Sequence, residues 1–429
     1  MKVKGLRWYI IILIGLSTVI NFIDRSAINI LWPYIHKDFG ISSADSKNAL
    51  ALITSFFLIA YALGQTVSGK FMDIVGTRAG MVYSIVGWSL SIALHALSRG
   101  LASFNVFRFM LGFFEAGNWP GATKSNAEWF PPKEGAIAQG IFGASTAIGS
   151  IIAAPVIAML FLEYGWRPTF VIIAGLGVLW VIPWLIINKA TPDKHPWITD
   201  RERVSILATT VSSADPEDSQ IFTWRQLLQF RNTWGIILAR FFIDPVWWLF
   251  ITWLPTFLKE QLMFDIRQIG AFSWLPYLMA AVGGITGGYF SSLYIKRGEL
   301  NHIARKKAIT IGCVIMFVAL ASTAAYMNHL KDHSTITMLL IGFILFGFQF
   351  LISNLQTLPS DYFHGKNVGV IAGMGGTAAV IGTICTTWLV PIITKTNYAS
   401  FFGLGAILVP LAWACITFIN TDRRESSSR

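Results

Sequence analysis

WYIIILIGLSTVINFIDRSAINILWPY, residues 8 to 34, is an apolar run long enough to cross a bilayer as a helix, since about 20 residues at 1.5 Å each span the hydrocarbon core. Its two formal charges are adjacent, Asp24 and Arg25. A charge at the centre of a spanning helix costs about 2.5 to 3.5 kcal/mol on insertion scales, so such residues turn toward a protein interior or a wet cavity. The run therefore implies both a membrane fold and a polar interior path.

Comparable runs recur at 47–69, 79–98, 101–125, 134–162, 168–189, 233–258, 268–295, 304–326, 335–359, 366–394 and 399–420. Of the 429 residues 54% are hydrophobic and only 13% charged, with a mean hydropathy of +0.58, where a soluble protein carries about 25% charged residues. The reading is an all-α membrane protein of twelve transmembrane helices. The net charge of +11 would point to nucleic acid in a soluble chain; here its distribution matters more. With the N-terminus inside, and residues at span ends counted with the adjoining loop, 22 of the 33 Lys and Arg fall on cytoplasmic segments, 8 on outer loops and 3 within spans. That asymmetry places both termini in the cytoplasm, and no nucleic-acid partner is expected. The first run has a basic start but no small-residue cleavage site, so it should stay attached as part of a multi-pass cell-membrane protein. Cys313, Cys385 and Cys415 show no metal-ligand spacing and read as small buried apolar residues. No metal or cofactor is expected, and no nucleophile elbow or phosphate loop suggests an enzyme.

Between Thr191 and Asn232 the apolar pattern gives way to a polar stretch rich in Pro, Asp, Ser and Arg. It reads as a cytoplasmic linker, 191–232, between a six-helix half at 1–190 and a second at 233–429. Short basic loops follow spans 2 and 8 in parallel: Gly69, Asp73, Gly76 and Arg78 in the first, Lys296 and Arg297 with Arg305 to Lys307 in the second.

Gly69-xxx-Asp73-xx-Gly76-x-Arg78 resembles the loop motif of the major facilitator superfamily, and Arg108-xxx-Gly112 resembles its helix-4 motif. Lys4-Gly-Leu-Arg-Trp-Tyr, Asn21-Phe-Ile-Asp-Arg25, Arg108 with Glu115, Glu128-Trp-Phe-Pro-Pro-Lys-Glu134, Gly165-Trp-Arg-Pro-Thr-Phe170, Trp253-Leu-Pro-Thr-Phe257 and Leu358-Pro-Ser-Asp361 together resemble the anion:cation symporter family. Within it the likeness is to bacterial hexuronate transporters. The resemblance implies a monomer in the bacterial inner membrane whose halves rock about a midplane site. It also implies proton-coupled import of a sugar acid anion. Rival readings are a transporter of aldonates, aldarates or another organic anion, with protons or sodium, and a non-transporting membrane sensor.

Asn21, Arg25 and Asn29 are spaced four apart and form one polar stripe, with Asp24 about 100° away. A guanidinium stays charged and offers a planar fork to a carboxylate; the resemblance makes Arg25 the anchor for the substrate's acid group. Arg108 and Glu115, seven apart, share a helix face. A carboxyl in a poorly hydrated cavity beside an arginine changes its proton affinity with the side to which the cavity opens, so Asp24 and Glu115 are the expected proton carriers, with Arg108 in their network. The competing reading of each pair is a helix-holding ion pair, which is favoured for Arg240 and Asp244 in span 7.

The resemblance turns Tyr61 toward the cavity as a sugar-hydroxyl partner. Span 10 carries two polar stripes, Gln349, Ser353, Gln356 and Ser360 on one face and Asn354, Thr357 and Asp361 on the next; either can line a cavity or bond a neighbouring helix. Thr146 is a weaker contact of the same type. One of Trp247, Trp248 and Trp253 is expected to stack on a sugar ring, with Trp247 the first choice. Asp73, Arg78 and Asp361 read as gating residues.

Overall fold

In hydrocarbon every backbone polar group must be satisfied within its own segment, and the computed structural model is helical in all twelve apolar runs. It describes residues 2–212, 222–330, 333–363, 366–395 and 397–419. Two compact units divide the chain, Met1–Pro216 and Glu217–Arg429. The first holds α1 (Leu6–Asp38), α2 (Ser43–His95), α3 (Leu101–Glu115), α4 (Asn118–Trp129), α5 (Pro132–Tyr164), α6 (Trp166–Ile187) and α7 (Asp200–Ser212). The second holds α8 (Trp224–Leu227), α9 (Arg231–Gln261), α10 (Ile266–Phe272), α11 (Trp274–Lys296), α12 (Asn301–Ala325), α13 (Met327–Leu330), α14 (Ser334–Leu355), α15 (Leu358–Tyr362), α16 (Lys366–Ile393) and α17 (Ala399–Thr417).

Among the described residues ten helical segments are long and apolar enough to cross a membrane. The other two runs, spans 3 and 4, are helical as well. α2 carries spans 2 and 3, joined at Gly76, where φ 80° and ψ 162° turn the backbone out of the helix; only glycine takes that conformation without strain. Span 4 is broken between Glu115 and Asn118. Pro120 lies just beyond and has no N–H to return to the preceding turn. Span 10 breaks in the same way between Leu355 and Leu358, ahead of Pro359.

Close backbone approach fixes the helices that carry the charges. A Cβ on Gly112 of α3 would stand 2.4 Å from the Phe57 carbonyl oxygen of α2, and one on Gly287 of α11 would stand 2.3 Å from that of Phe350 on α14. Both contacts exist only because a side chain is missing. Outward faces are apolar instead: on α6, Val171, Val178, Leu179, Ile182 and Ile186 are exposed, while Trp180 and Trp184 are buried and stack at 5.0 Å. The cysteines follow this division, which corrects the expectation that all are buried. Cys313 is buried, but Cys385 is exposed and Cys415 half-buried, because a spanning helix can present a small apolar group to lipid as readily as to protein.

α1 has no side-chain cap of its own. Glu202, of α7, supplies one: its carboxylate accepts from the backbone N–H of Gly5 and Leu6 at 3.0 and 3.3 Å and of Arg7 at 3.3 Å. This satisfies donors that a helix start leaves orphaned and sets a negative charge at the positive end of the dipole. Val3 N–H donates to the Trp197 carbonyl at 2.7 Å, and Lys2 pairs with Asp200 at 3.0 Å. Part of the stretch expected as a linker is thus a clasp on the start of α1.

Candidate functional site

The charges that lipid would exclude are brought together inside the first unit. Arg25 of α1 donates to Glu115, the last residue of α3, from Nε at 3.2 Å and Nη2 at 3.1 Å. The Glu115 side chain is fully buried and that of Arg25 is 7% exposed. Tight packing of α3 on α2 at Gly112 and the break after Glu115 place this carboxylate opposite α1. Immediately past the break, Asn118 ties the same helices: its amide donates to Thr18 Oγ1 at 3.0 Å and accepts from Ser17 Oγ at 3.1 Å.

Asp24 is completely buried beside this pair. It feels the Glu115 charge and approaches the Trp88 indole, yet neither carboxylate oxygen has a hydrogen-bond partner among the described residues. Asn21, one turn before Arg25, is buried and interacts with Glu115 without its amide nitrogen completing a hydrogen bond. Asn29, one turn after, is buried too. Aromatic rings surround the Arg25 guanidinium: Tyr61 at 5.0 Å, Phe57 at 5.2 Å and Phe22 at 5.4 Å from its Cζ to the ring centroids. Arg108 is buried with its Cζ 4.3 Å from the Phe57 centroid. The geometry thus unites Asn21, Asp24, Arg25, Tyr61, Arg108 and Glu115 from three helices. Such a buried ion pair beside an unpartnered carboxyl can exchange one anion for another and can store protons.

The remaining expected residues lie elsewhere. Thr146 turns its hydroxyl to its own helix, donating to the Gly143 carbonyl at 2.7 Å. Asp73 pairs with Lys124 at 2.8 Å, and Arg78 reaches the Leu185 carbonyl at 3.4 Å. In the second unit Arg240 and Asp244 close at 2.5 Å, as their spacing requires, and Asp361 pairs with Arg305 at 2.6 Å. Trp247 stacks on Phe348 at 5.2 Å, whereas Trp253 is wholly buried. The two stripes of span 10 separate. Asn354 is buried and its amide nitrogen donates to the Gly287 and Phe350 carbonyls, both at 3.1 Å, which ties α14 to α11. Gln356 and Ser360 are exposed, with Gln349 and Ser353 half-buried above them. This stripe is the more accessible of the two.

Phe57, Trp88, Lys124 and Arg305 are missed by sequence reasoning. Phe57 had one signal, its four-residue spacing from Tyr61, on which its ring stacks at 5.7 Å.

Twelve helical runs, two units and a buried charge cluster define a multi-pass membrane protein with a polar interior site. The chain belongs to the Major Facilitator Superfamily, whose model matches residues 14–364. It is similar to the hexuronate transporter of Escherichia coli strain K12, with 31% identity over 409 residues, 95% of this chain and 92% of that protein. To the galacturonate transporter of Dickeya chrysanthemi it is 32% identical over 316 residues, 73% of this chain and 90% of the relative. Among solved structures, a D-xylose-proton symporter superposes with a TM-score of 0.74 at 12% identity, covering 97% of this chain and 98% of that one, which establishes the fold. The protein is a transporter of this superfamily and not an enzyme.

Proposed function

We propose that this chain is a proton-coupled symporter that imports a hexuronate or a closely related sugar acid, with both termini in the cytoplasm. The named substrates of its relatives, hexuronate and galacturonate, support the substrate class. The observation that carries the coupling is the buried Arg25–Glu115 pair.

Arg25 is the group best fitted to a substrate carboxylate, and Glu115 already holds it. A substrate that took Arg25 from an ionised Glu115 would leave a buried carboxylate unpaired, at a cost of about 3 to 5 kcal/mol. A proton on Glu115 removes that cost. Proton and substrate therefore favour each other's binding, and by linkage the preference is reciprocal. Asp24, buried without a hydrogen-bond partner among the described residues, is the second proton carrier. Two protons with one monoanion carry one positive charge inward and gain about 2.3 kcal/mol per 100 mV, whereas one proton makes transport electroneutral. Tyr61, Asn21 and Asn29 contribute hydroxyl and amide contacts beside Arg25; the sequence pattern of span 10 makes Gln356 a further sugar-hydroxyl partner. Asp73, Arg78 and Asp361 hold helix ends that exchange partners during alternating access.

Uptake of labelled galacturonate or glucuronate into proteoliposomes under an imposed pH gradient tests this reading. Accumulation above equilibrium that collapses with a protonophore is expected; uptake that ignores the pH gradient but follows sodium would contradict it.

A further inference from the structure

The Arg108 side chain is buried, and its Nε and Nη1 have no hydrogen-bond acceptor among the described residues. What it faces closely is a ring: the Phe57 centroid lies 4.3 Å from its Cζ. The same ring lies 5.2 Å from the Cζ of Arg25. One benzene ring thus serves two guanidinium groups in a site with little water. The negative face of an aromatic quadrupole attracts a cation most strongly when the cation is desolvated, where the contact is of the order of a charged hydrogen bond.

Phe57 is held firmly enough to act on its neighbours. Its side chain is fully buried and stacks on Tyr61 with ring planes 23° apart. Its carbonyl presses on α3 where Gly112 lacks a side chain, which fixes the Phe57 backbone against the helix that carries Arg108. Arg108 shares a helix face with Glu115 and interacts with its charge, yet Glu115 Oε1 has no hydrogen-bond partner among the described residues. A second guanidinium bonded at Oε1 would hold the carboxylate in its charged form and oppose proton uptake.

We propose that Phe57 is a positioning residue that engages Arg108 through its ring face and keeps it from bonding Glu115, so that Arg25 is the arginine hydrogen-bonded to Glu115 and the carboxyl exchanges its proton. This rests on the reading of Glu115 as a proton carrier. Loss of the ring's negative face lets Arg108 turn to Glu115 and impairs coupling, while substrate recognition by Arg25 continues.

The test replaces Phe57 with phenylalanines bearing one, two or three ring fluorines, which preserve shape and progressively remove the negative face. In proteoliposomes, proton-driven accumulation is expected to fall stepwise, reaching about a tenfold loss with three fluorines, while counterflow exchange, which feels only the longer contact of the ring with Arg25 at 5.2 Å, falls by a clearly smaller factor. Phe57→Leu should behave like the trifluoro ring. Accumulation that is indifferent to fluorination, or exchange that falls in parallel with it, would overturn the proposal. A flat series beside a Glu115→Gln variant that has lost accumulation overturns the role of Phe57 and leaves the coupling reading standing. A Glu115→Gln variant that still accumulates substrate overturns both.

Discussion

Arg25 places both its bonds to Glu115 on one oxygen, Oε2, from Nε at 3.2 Å and Nη2 at 3.1 Å, and Oε1 has no hydrogen-bond partner among the described residues. A two-oxygen fork would fix both lone-pair sets of the carboxylate. The single-oxygen arrangement leaves the other oxygen able to take a proton while the pair is still closed.

Arg25→Lys should retain the charge and lose the fork. Sugar-acid affinity, read by isothermal titration on purified protein, is expected to weaken by about tenfold or more. Arg25→Ala should abolish binding and also destabilise, because it strands the buried Glu115 charge at about 3 to 5 kcal/mol. Adding Glu115→Gln to Arg25→Ala should restore thermal stability without restoring binding. Unchanged affinity in either single variant would remove Arg25 from the site.

Gly112→Ala forces a methyl to within 2.4 Å of the Phe57 carbonyl oxygen. The expected cost is about 1 to 3 kcal/mol for the enforced separation of α2 and α3, seen as a lower thermal unfolding midpoint in detergent. Gly143→Ala is the control: a Cβ there meets nothing within 4 Å, and helix propensity favours alanine by about 0.5 to 1 kcal/mol. Its midpoint should hold or rise.

The charges were legible because hydrocarbon makes them conspicuous. Asp24, Arg25, Arg108 and Glu115 announce themselves by residue type alone, and spacing orients those on one helix. The union of Arg25 with Glu115 was not legible, since it joins side chains 90 positions apart, and no helical period relates two different helices. Phe57 was hidden among 32 phenylalanines; an aromatic ring declares a cation partner only once packing is known. Span 10 shows the limit of periodicity, which finds two polar faces but not which one a neighbour covers. Asn354 and Gln356, two positions apart, took opposite fates. Glu202 read as one charge in a polar linker, and its role as a cap for α1 depends on a fold-back that local sequence does not encode.

The clasp at the start of α1 should loosen in acid. His195 Nδ1 accepts from the Trp197 N–H at 3.2 Å and its Nε2–H donates to the Ile187 carbonyl at 2.9 Å, which suits the neutral ring. Partial burial, with Lys189 and Arg203 nearby, holds its pKa below the ordinary 6.5. An opened segment therefore takes up a proton at a higher pH than the closed one does, so the stabilisation present above about pH 6.5 is lost as pH falls toward the depressed value. Hydrogen exchange at Val3 and Trp197, corrected for its intrinsic pH dependence, should accelerate below pH 6.5 in the parent and show no such dependence in His195→Gln. Equal pH dependence in both proteins would contradict this.

Glu115→Gln tests coupling most directly, because glutamine keeps the size of the side chain and cannot carry the proton. In proteoliposomes with an inward proton gradient, the variant is expected to exchange labelled for unlabelled sugar acid at a rate near the parent's and to accumulate none above equilibrium. Accumulation at the parent's level would contradict the account.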